Sequence, residues 1–245
     1  MIVLFTDFSL SDPYVAQVKS VLLQQTENVD IIDLLHNAPD FDITSSAFLL
    51  EAYTKNFPRN TLFFCVVDPG VGGIRKRCAI KIKNQWYVGP DNGLFDVLLA
   101  RNPDAQYFQL TGESPSIYKT FDGRDFFAPI VAKLAMKQMP DMVPEPHLLK
   151  NRNDVAEDYP YIIYIDHYGN LISGYRYQSL GNNCRIDFND TVLVPAETFS
   201  DIPAGEPFYY CNSNGLLEIA VNQGSAKELF KATIGDRIMI SHSDT

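Results

Sequence analysis

The chain has 245 residues, 46% of them hydrophobic and 20% charged, which is enough to bury a core in one large or two smaller domains and excludes a disordered chain. Its formal net charge of −10 repels phosphate backbones, so we expect no nucleic-acid partner. No apolar run reaches the roughly 18 residues that cross a membrane, and we expect a cytoplasmic protein without a membrane partner.

Apolar runs alternate with segments of helical periodicity through the first 150 residues. Strands are predicted at Ile2–Thr6, Val29–Leu34 and Leu62–Val67, and helices at Pro13–Gln25 and Asp42–Tyr53. Further along, the pattern predicts a hairpin, a short helix, a strand at Tyr107–Leu110 and a helix at Asp125–Met136. Because this order requires right-handed crossovers, residues 1–150 are predicted to form a doubly wound α/β domain with a mostly parallel sheet.

The composition changes after Met139. Four prolines and many polar residues follow, and they predict a linker over residues 139–160. Beyond it, short β-rich runs are separated by turn residues: Tyr161–Ile165, Leu171–Ser173, Cys184–Phe188, Thr191–Val194, Phe208–Cys211, Leu216–Val221 and Arg237–Ser241. Such spacing predicts a small barrel or sandwich over residues 160–245.

Aspartates recur in the segments that follow the predicted strands of the first domain. Asp7 follows the first strand, and three further segments place an aspartate beside glycine or proline: DPGVGG with Asp68 after the third strand, GPDNG with Asp91 after the hairpin, and TFDGRD with Asp122. In an open parallel sheet, ligands bind beyond the carboxyl ends of the strands. A carboxylate there can accept hydrogen bonds from a diol such as a ribose, although aspartate and glycine also populate ordinary tight turns.

Other common sites are excluded by their missing motifs. The segment DPGVGG has neither the GxGxxG pattern nor the Lys-Ser/Thr of a phosphate-binding loop. The chain has no HExxH or GxSxG, no CxxC pair among its four cysteines, and no ligand spacing among its four histidines. We therefore expect no metal site, and an acidic, glycine-lined cleft for a polar ligand that is cationic or resembles a nucleoside.

Six segments, taken together and in order, resemble the S-adenosylmethionine (SAM) hydroxide adenosyltransferases, which are relatives of the fluorinating and chlorinating enzymes. The segments are TDFSLSDPYVAQVKS, VVDPGVGGIRKR, VGPDNGLF, TFDGRDFFAP, IDHYGNLIS and NSNGLLEIAVNQGSA. The resemblance implies an N-terminal α/β domain, a C-terminal β-barrel, and a homotrimer that binds its small-molecule substrate at the subunit interface. It also implies hydrolysis of SAM to adenosine and methionine by attack of water or hydroxide at ribose C5′, without a cofactor.

The resemblance also implies roles for individual residues. Asp68 and Arg75 match two members of the catalytic set, and Asp122 occupies the position of the third. The remaining matched residues would bind substrate: Asp7 the ribose hydroxyls, Phe41 and Tyr168 the nucleoside as aromatic neighbours, Asp166 the methionine ammonium, Asn170 and the backbone at Val221 the adenine, and Ser213, with Asn214 beside it, the methionine carboxylate.

Asp122 is a departure from the family pattern, because the hydrolases usually read TFHGRD. An aspartate can accept a proton or hold a water, but it adds negative charge close to Asp68. Hydrolysis of SAM is the leading hypothesis, and a protein that binds SAM or adenosine without turnover is the alternative. Transfer of the adenosyl group to another nucleophile is a third, although a carboxylate at position 122 would repel halide.

Overall fold

The computed structural model describes residues 1–112, 118–145, 155–181 and 184–242. These residues divide into two compact units. The first unit contains residues 1–50 and 56–155, and the second contains Glu51–Lys55 together with residues 156–245. Part of the predicted linker, residues 146–154, lies outside the described residues. Within the described part of the chain, no helix is long and apolar enough to cross a membrane.

The helices and strands of the first unit follow the predicted order closely. They are β1 (Ile2–Thr6), α1 (Tyr14–Gln25), β2 (Ile31–Leu35), α2 (Ile43–Thr54), β3 (Leu62–Val66), β4 (Lys76–Ile82), β5 (Gln85–Asp91), α3 (Asp96–Ala100), β6 (Gln106–Leu110), α4 (Ala128–Ala135) and β7 (Met142–Pro144). The last four residues of α2 belong to the second unit. The short strand β7 lies within the predicted linker, where it pairs with β6 and extends the sheet.

The first unit is built on a seven-stranded sheet with the order β2-β1-β3-β5-β4-β6-β7. Strands β2, β1, β3 and β5 are parallel, whereas β4 is antiparallel to both of its neighbours. All five residues of β1 and of β3 are buried, as expected for central strands covered on both faces. The predicted α/β fold is confirmed, and the predicted hairpin forms β4 and β5.

The parallel pairing of β1 and β3 brings two of the predicted site residues to one edge of the sheet. Thr6 at the end of β1 lies opposite Val66 at the end of β3. Asp7 follows Thr6 directly and Asp68 lies two residues after Val66, so both aspartates lie at the carboxyl edge of the sheet, where open parallel sheets bind ligands.

The helix predicted at Asp125–Met136 begins earlier, with a π-helical turn at Gly123–Phe127 that continues into α4. Such a turn inserts an extra residue into the helical repeat and is frequent at functional sites. Here it places Asp122 at the start of the helix with 3% of its surface exposed. A Cβ atom at Gly123 would approach the ring of Phe8 to 3.0 Å, so the tight packing at this turn favours glycine.

The second unit contains all seven predicted strands and one short helix that the sequence did not predict. They are β8 (Tyr159–Ile165), β9 (Leu171–Arg176), β10 (Cys184–Phe188), β11 (Thr191–Pro195), β12 (Pro207–Cys211), β13 (Leu216–Val221), α5 (Ala226–Phe230) and β14 (Met239–His242). At five residues, α5 is too short for a periodic signal, but Ser225 caps it by accepting a hydrogen bond from the backbone of Glu228.

These strands form one curled sheet with the order β14-β10-β11-β12-β13-β9-β8. Its edge strand β8 makes backbone hydrogen bonds to the segment just before β14, between Ile162 and Asp236, between Ile162 and Gly235, and between Pro160 and Ile238. The two edges of the sheet therefore meet, which confirms the barrel-like form and leaves fewer unpaired edge groups.

Candidate active site

Asp68 and Arg75 form a bidentate ion pair at the carboxyl edge of the first sheet. Arg75 Nε donates to Asp68 Oδ1 and Oδ2 at 3.0 and 2.9 Å, and Arg75 Nη2 donates to Asp68 Oδ2 at 2.5 Å. The residues lie at the two ends of the glycine-containing loop between β3 and β4, which turns back so that they meet. The structure thus brings together two of the residues that the sequence predicts as catalytic.

Asp122 joins this pair from the turn before α4. Its Oδ2 accepts a hydrogen bond from Arg75 Nη2 at 2.6 Å, so one guanidinium nitrogen bridges two carboxylates. Arg77, which the sequence did not single out, also binds Asp122, from Nε to Oδ2 and from Nη2 to Oδ1, both at 3.1 Å. Its position two residues after Arg75, at the start of β4, was the available signal.

The four charges of this cluster balance one another. The side chains of Asp68 and Asp122 are each 4% exposed, and that of Arg75 is 10% exposed. Burial alone would lower the pKa of Arg75, but its hydrogen bonds to the two carboxylates outweigh burial and raise it, so Arg75 stays charged. Two aspartates and two arginines make the cluster formally neutral, and we name these four residues the charge cluster.

Asp7 lies close to the charge cluster but without a guanidinium partner in it. Burial raises its pKa to about 6, and the nearby charges of Asp40 and Asp68 act in the same direction. The preceding residue, Thr6, is buried, and its hydroxyl contacts His36 Nδ1 at 2.8 Å. This contact fixes the start of the loop that carries Asp7. At neutral pH, Asp7 is therefore an ionised acceptor at the sheet edge.

Phe41, predicted to lie beside a nucleoside, is 79% exposed and has a left-handed backbone with φ of 61°. Bulky residues rarely adopt this conformation, and such residues cluster at functional sites. Another large apolar side chain, Ile74 in the loop before Arg75, is fully exposed. The first unit therefore presents apolar side chains to solvent on its loops after β2 and β3.

The second unit contains a cavity of about 900 Å³. Every substrate-binding residue that the sequence predicts in this unit lines it: Asp166, Tyr168, Asn170, Ser213, Asn214 and Val221. These residues come from two stretches about 45 positions apart, which the pairing of β9 with β13 brings together. The volume is within the range of pockets that bind small molecules and cofactors.

Asp166 organises one wall of this cavity. Its Oδ1 accepts hydrogen bonds from the backbone N–H groups of Tyr168 and Asn170, and its Oδ2 accepts one from Asn170 Nδ2 at 2.9 Å. The ring of Tyr168 is 73% exposed. Since the amide nitrogen of Asn170 is bonded to Asp166, its Oδ1 is the atom that suits an amine donor.

Glu218 and its partners Tyr210 and Asn212 also line this cavity, and the sequence did not single them out. The Tyr210 hydroxyl and Asn212 Nδ2 donate to the Glu218 carboxylate, while Asn212 Oδ1 accepts the backbone N–H groups of Asn214 and Leu216. Burial and nearby Asp166 raise the pKa of Glu218, although its hydrogen bonds oppose the shift. This network fixes the turn that carries Ser213 and Asn214. Its only signal in the sequence is Glu218, a charged residue inside the otherwise apolar strand β13.

The site offers carboxylates and guanidinium groups. Among the described residues, no group of three or more His, Cys, Asp or Glu side chains could hold a metal ion. The chemistry available from these residues is therefore hydrogen bonding, charge stabilisation and proton acceptance.

The sequence matches two family models, the SAM hydroxide adenosyltransferase N-terminal domain over residues 2–143 and the C-terminal domain over residues 160–239. The chain belongs to the SAM hydroxide adenosyltransferase family. The resemblance of the six sequence segments to this family is thus confirmed.

Similar proteins agree with this membership. A protein of Thermus thermophilus named (R)-S-adenosyl-L-methionine hydrolase is 34% identical over 91% of this chain and 92% of its own length. One of Salinispora tropica with the same name is 32% identical over 96% and 95%, and a fluorinase of Actinopolyspora mzabensis is 22% identical over 99% and 97%. The crystal structure of an uncharacterized conserved protein from Thermotoga maritima, 28% identical, superposes with a TM-score of 0.83 over 99% of this chain and 100% of its own.

Replacing Arg75 in this adenosyltransferase-family chain tests the energetic role of the charge cluster. In Arg75→Met, Asp68 loses its only guanidinium contact among those described, and we expect the free energy of unfolding to fall by about 3–5 kcal/mol at pH 7 in urea titrations. Arg185→Met is the matched control, because Arg185 makes a similar bidentate pair with Asp187 on the exposed surface and should have little effect. Equal losses from the two variants would contradict this account.

Proposed function

We propose that this protein hydrolyses SAM to adenosine and methionine. The observation that carries the proposal is the buried Asp68–Arg75–Asp122 arrangement, at the sheet edge where Asp7 also lies, in a chain of the SAM hydroxide adenosyltransferase family. Relatives at 32–34% identity are named (R)-S-adenosyl-L-methionine hydrolase, and this supports both the reaction and the configuration of the sulfonium in the substrate.

The reaction makes limited demands on the protein. The oxygen of water bonds to ribose C5′, the C5′–S bond breaks with its electron pair going to sulfur, and one proton leaves the attacking water. Because the leaving group is a neutral thioether departing from a sulfonium, no general acid, metal or redox cofactor is required. The site must orient the water in line with the breaking bond and accept or stabilise its proton as it leaves.

The charge cluster suits this task. We assign to Asp68 the acceptance of a hydrogen bond from the attacking water, since a carboxylate has more lone-pair positions than its contacts with Arg75 use. Arg75 fixes the orientation of Asp68 and supplies positive charge beside a nucleophile that becomes hydroxide-like. Asp122, with both oxygens bonded to arginines, is the third member of the set and holds Arg75 in place.

Substrate binding divides between the two units. Asp7 and Phe41 suit the ribose and one face of the nucleoside. In the cavity of the second unit, Asp166 suits the methionine ammonium, Asn170 and Val221 the adenine, and Tyr168 a stacking contact, while Ser213 and Asn214 suit the methionine carboxylate. Asp166 and buried Glu218 favour a cationic ligand such as a sulfonium with an ammonium group.

We also propose that the protein is a cytoplasmic homotrimer with each substrate site at a subunit interface. The charge cluster lies in the first unit and the cavity of about 900 Å³ lies in the second, so each unit carries different residues of the proposed substrate site. The exposed Phe41 and Ile74 of the first unit and Tyr168 of the second supply apolar surface for contacts with a neighbouring subunit.

Turnover is tested by incubating the purified protein with SAM and separating adenosine and methionine by chromatography. We expect both products in equal amounts, and a loss of about 100-fold or more in Asp68→Ala because the water loses its proton acceptor. Asp12→Ala, at an exposed acidic residue, is the control. Adenosine no higher than with Asp68→Ala, together with binding in calorimetry, would instead establish the non-catalytic alternative. Reactions with halides and thiols test for other nucleophiles.

Adenosine binding should depend on pH through Asp7. The carboxylate accepts two hydroxyl donors only when ionised, so affinity should rise with pH through about 6 and be about tenfold weaker at pH 5 than at pH 8. Isothermal calorimetry at several pH values measures this. In Asp7→Asn, binding should be weak and nearly independent of pH over this range. An unchanged pH profile in that variant would remove Asp7 from the ribose contact.

Mixed subunits test the proposed interface. Asp68→Ala and Asp166→Ala are each expected to be inactive alone, because each lacks one half of the site. In randomly mixed trimers with sites shared between subunits, about one quarter of the sites combine two intact halves and should regain activity. The subunits are mixed under dissociating conditions and then reassociated, and mass is checked by sedimentation. A trimer without recovered activity would place each complete site within one subunit.

A further inference from the structure

Arg77 contacts two partners at the charge cluster, Asp122 and Phe126. Its Nε and Nη2 both bind the carboxylate of Asp122, and its guanidinium carbon lies 4.1 Å from the centre of the Phe126 ring. Phe126 belongs to the π-helical turn that follows Asp122, so one short segment provides both the carboxylate and the ring. The side chain is 26% exposed, and its partner carboxylate is 4% exposed. This geometry is unlike that of a solvated surface ion pair.

The charge count shows what Arg77 contributes. Without it, Arg75 would be the only cation between two buried carboxylates, and the group would carry one net negative charge. Such a charge would oppose the hydroxide-like character that develops on the attacking water. It would also draw the Arg75 guanidinium toward Asp122 and away from Asp68, since both compete for Nη2. With Arg77 present, Asp122 has its own bidentate partner.

We propose that Arg77 is a positioning residue for the reaction: it neutralises and fixes Asp122, and thereby keeps Arg75 in bidentate contact with Asp68. The inference rests on the proposed hydrolysis of SAM and adds a residue to its machinery. Arg77 acts through Asp122 and Arg75, because two of its nitrogens and one face of its guanidinium are already occupied by protein groups.

The test is a double-mutant cycle of Arg77→Gln and Asp122→Asn, with kcat and KM for SAM measured in all four proteins. In the wild-type background, Arg77→Gln should lower kcat about tenfold and change KM less than about twofold. In the Asp122→Asn background, the same change should lower kcat less than about twofold, since no charge remains for Arg77 to balance. Lys76→Gln, at the exposed neighbour on β4, is the matched control and should leave both constants unchanged.

Unfolding midpoints of all variants separate this effect from loss of fold. If Arg77→Gln does not fold, Arg77→Lys keeps the charge, loses the two-point contact and is compared in the same two backgrounds. Equal losses of kcat in both backgrounds, or a change confined to KM, would overturn the inference while the hydrolase function stands. Absence of adenosine formation by the wild-type protein would overturn the proposed function, and this inference with it.

Discussion

The arrangement of the first unit depends on one guanidinium nitrogen shared by two buried carboxylates. Arg75 Nη2 bonds to Asp68 after β3 and to Asp122 before α4, which are 54 residues apart in the chain. A buried carboxylate without a counter-charge is costly, so this contact constrains both loops at once. The sheet edge, the π-helical turn and the loop between β3 and β4 must all place their side chains within its reach.

The same constraint explains why an aspartate is tolerated at position 122. A second carboxylate beside Asp68 would be unfavourable with a single arginine nearby, but Arg75, directly before β4, and Arg77, on β4, both bind Asp122. The packing of Arg77 over Phe126 further fixes the pair. Arg75 and Arg77 together thus balance the two carboxylates of the charge cluster.

The second unit applies a similar principle with hydrogen bonds in place of ion pairs. Asp166 and Asn170 lock one turn, and Glu218 with Asn212 locks another, so that both turns face a common cavity. The side chains that fix each turn come from the turn itself or from the strand next to it. A cavity built this way is organised before any ligand binds, which reduces the entropy lost on binding.

The sequence by itself determined the order of helices and strands along the chain and the α/β character of its first part, because burial and periodicity are local properties. It predicted the site beyond the carboxyl ends of the parallel strands, where ligands bind in such sheets. It identified Asp68 and Arg75 from the loop after a buried strand, and the six family-like segments gave the cavity residues Asp166, Ser213 and their neighbours. Only the tertiary structure revealed the pairing of Arg77 with Asp122 and the place of Glu218 and Tyr53 in the cavity wall. Those contacts form between segments that are far apart in the sequence, and the distance between such segments in space cannot be read from residue spacing along the chain.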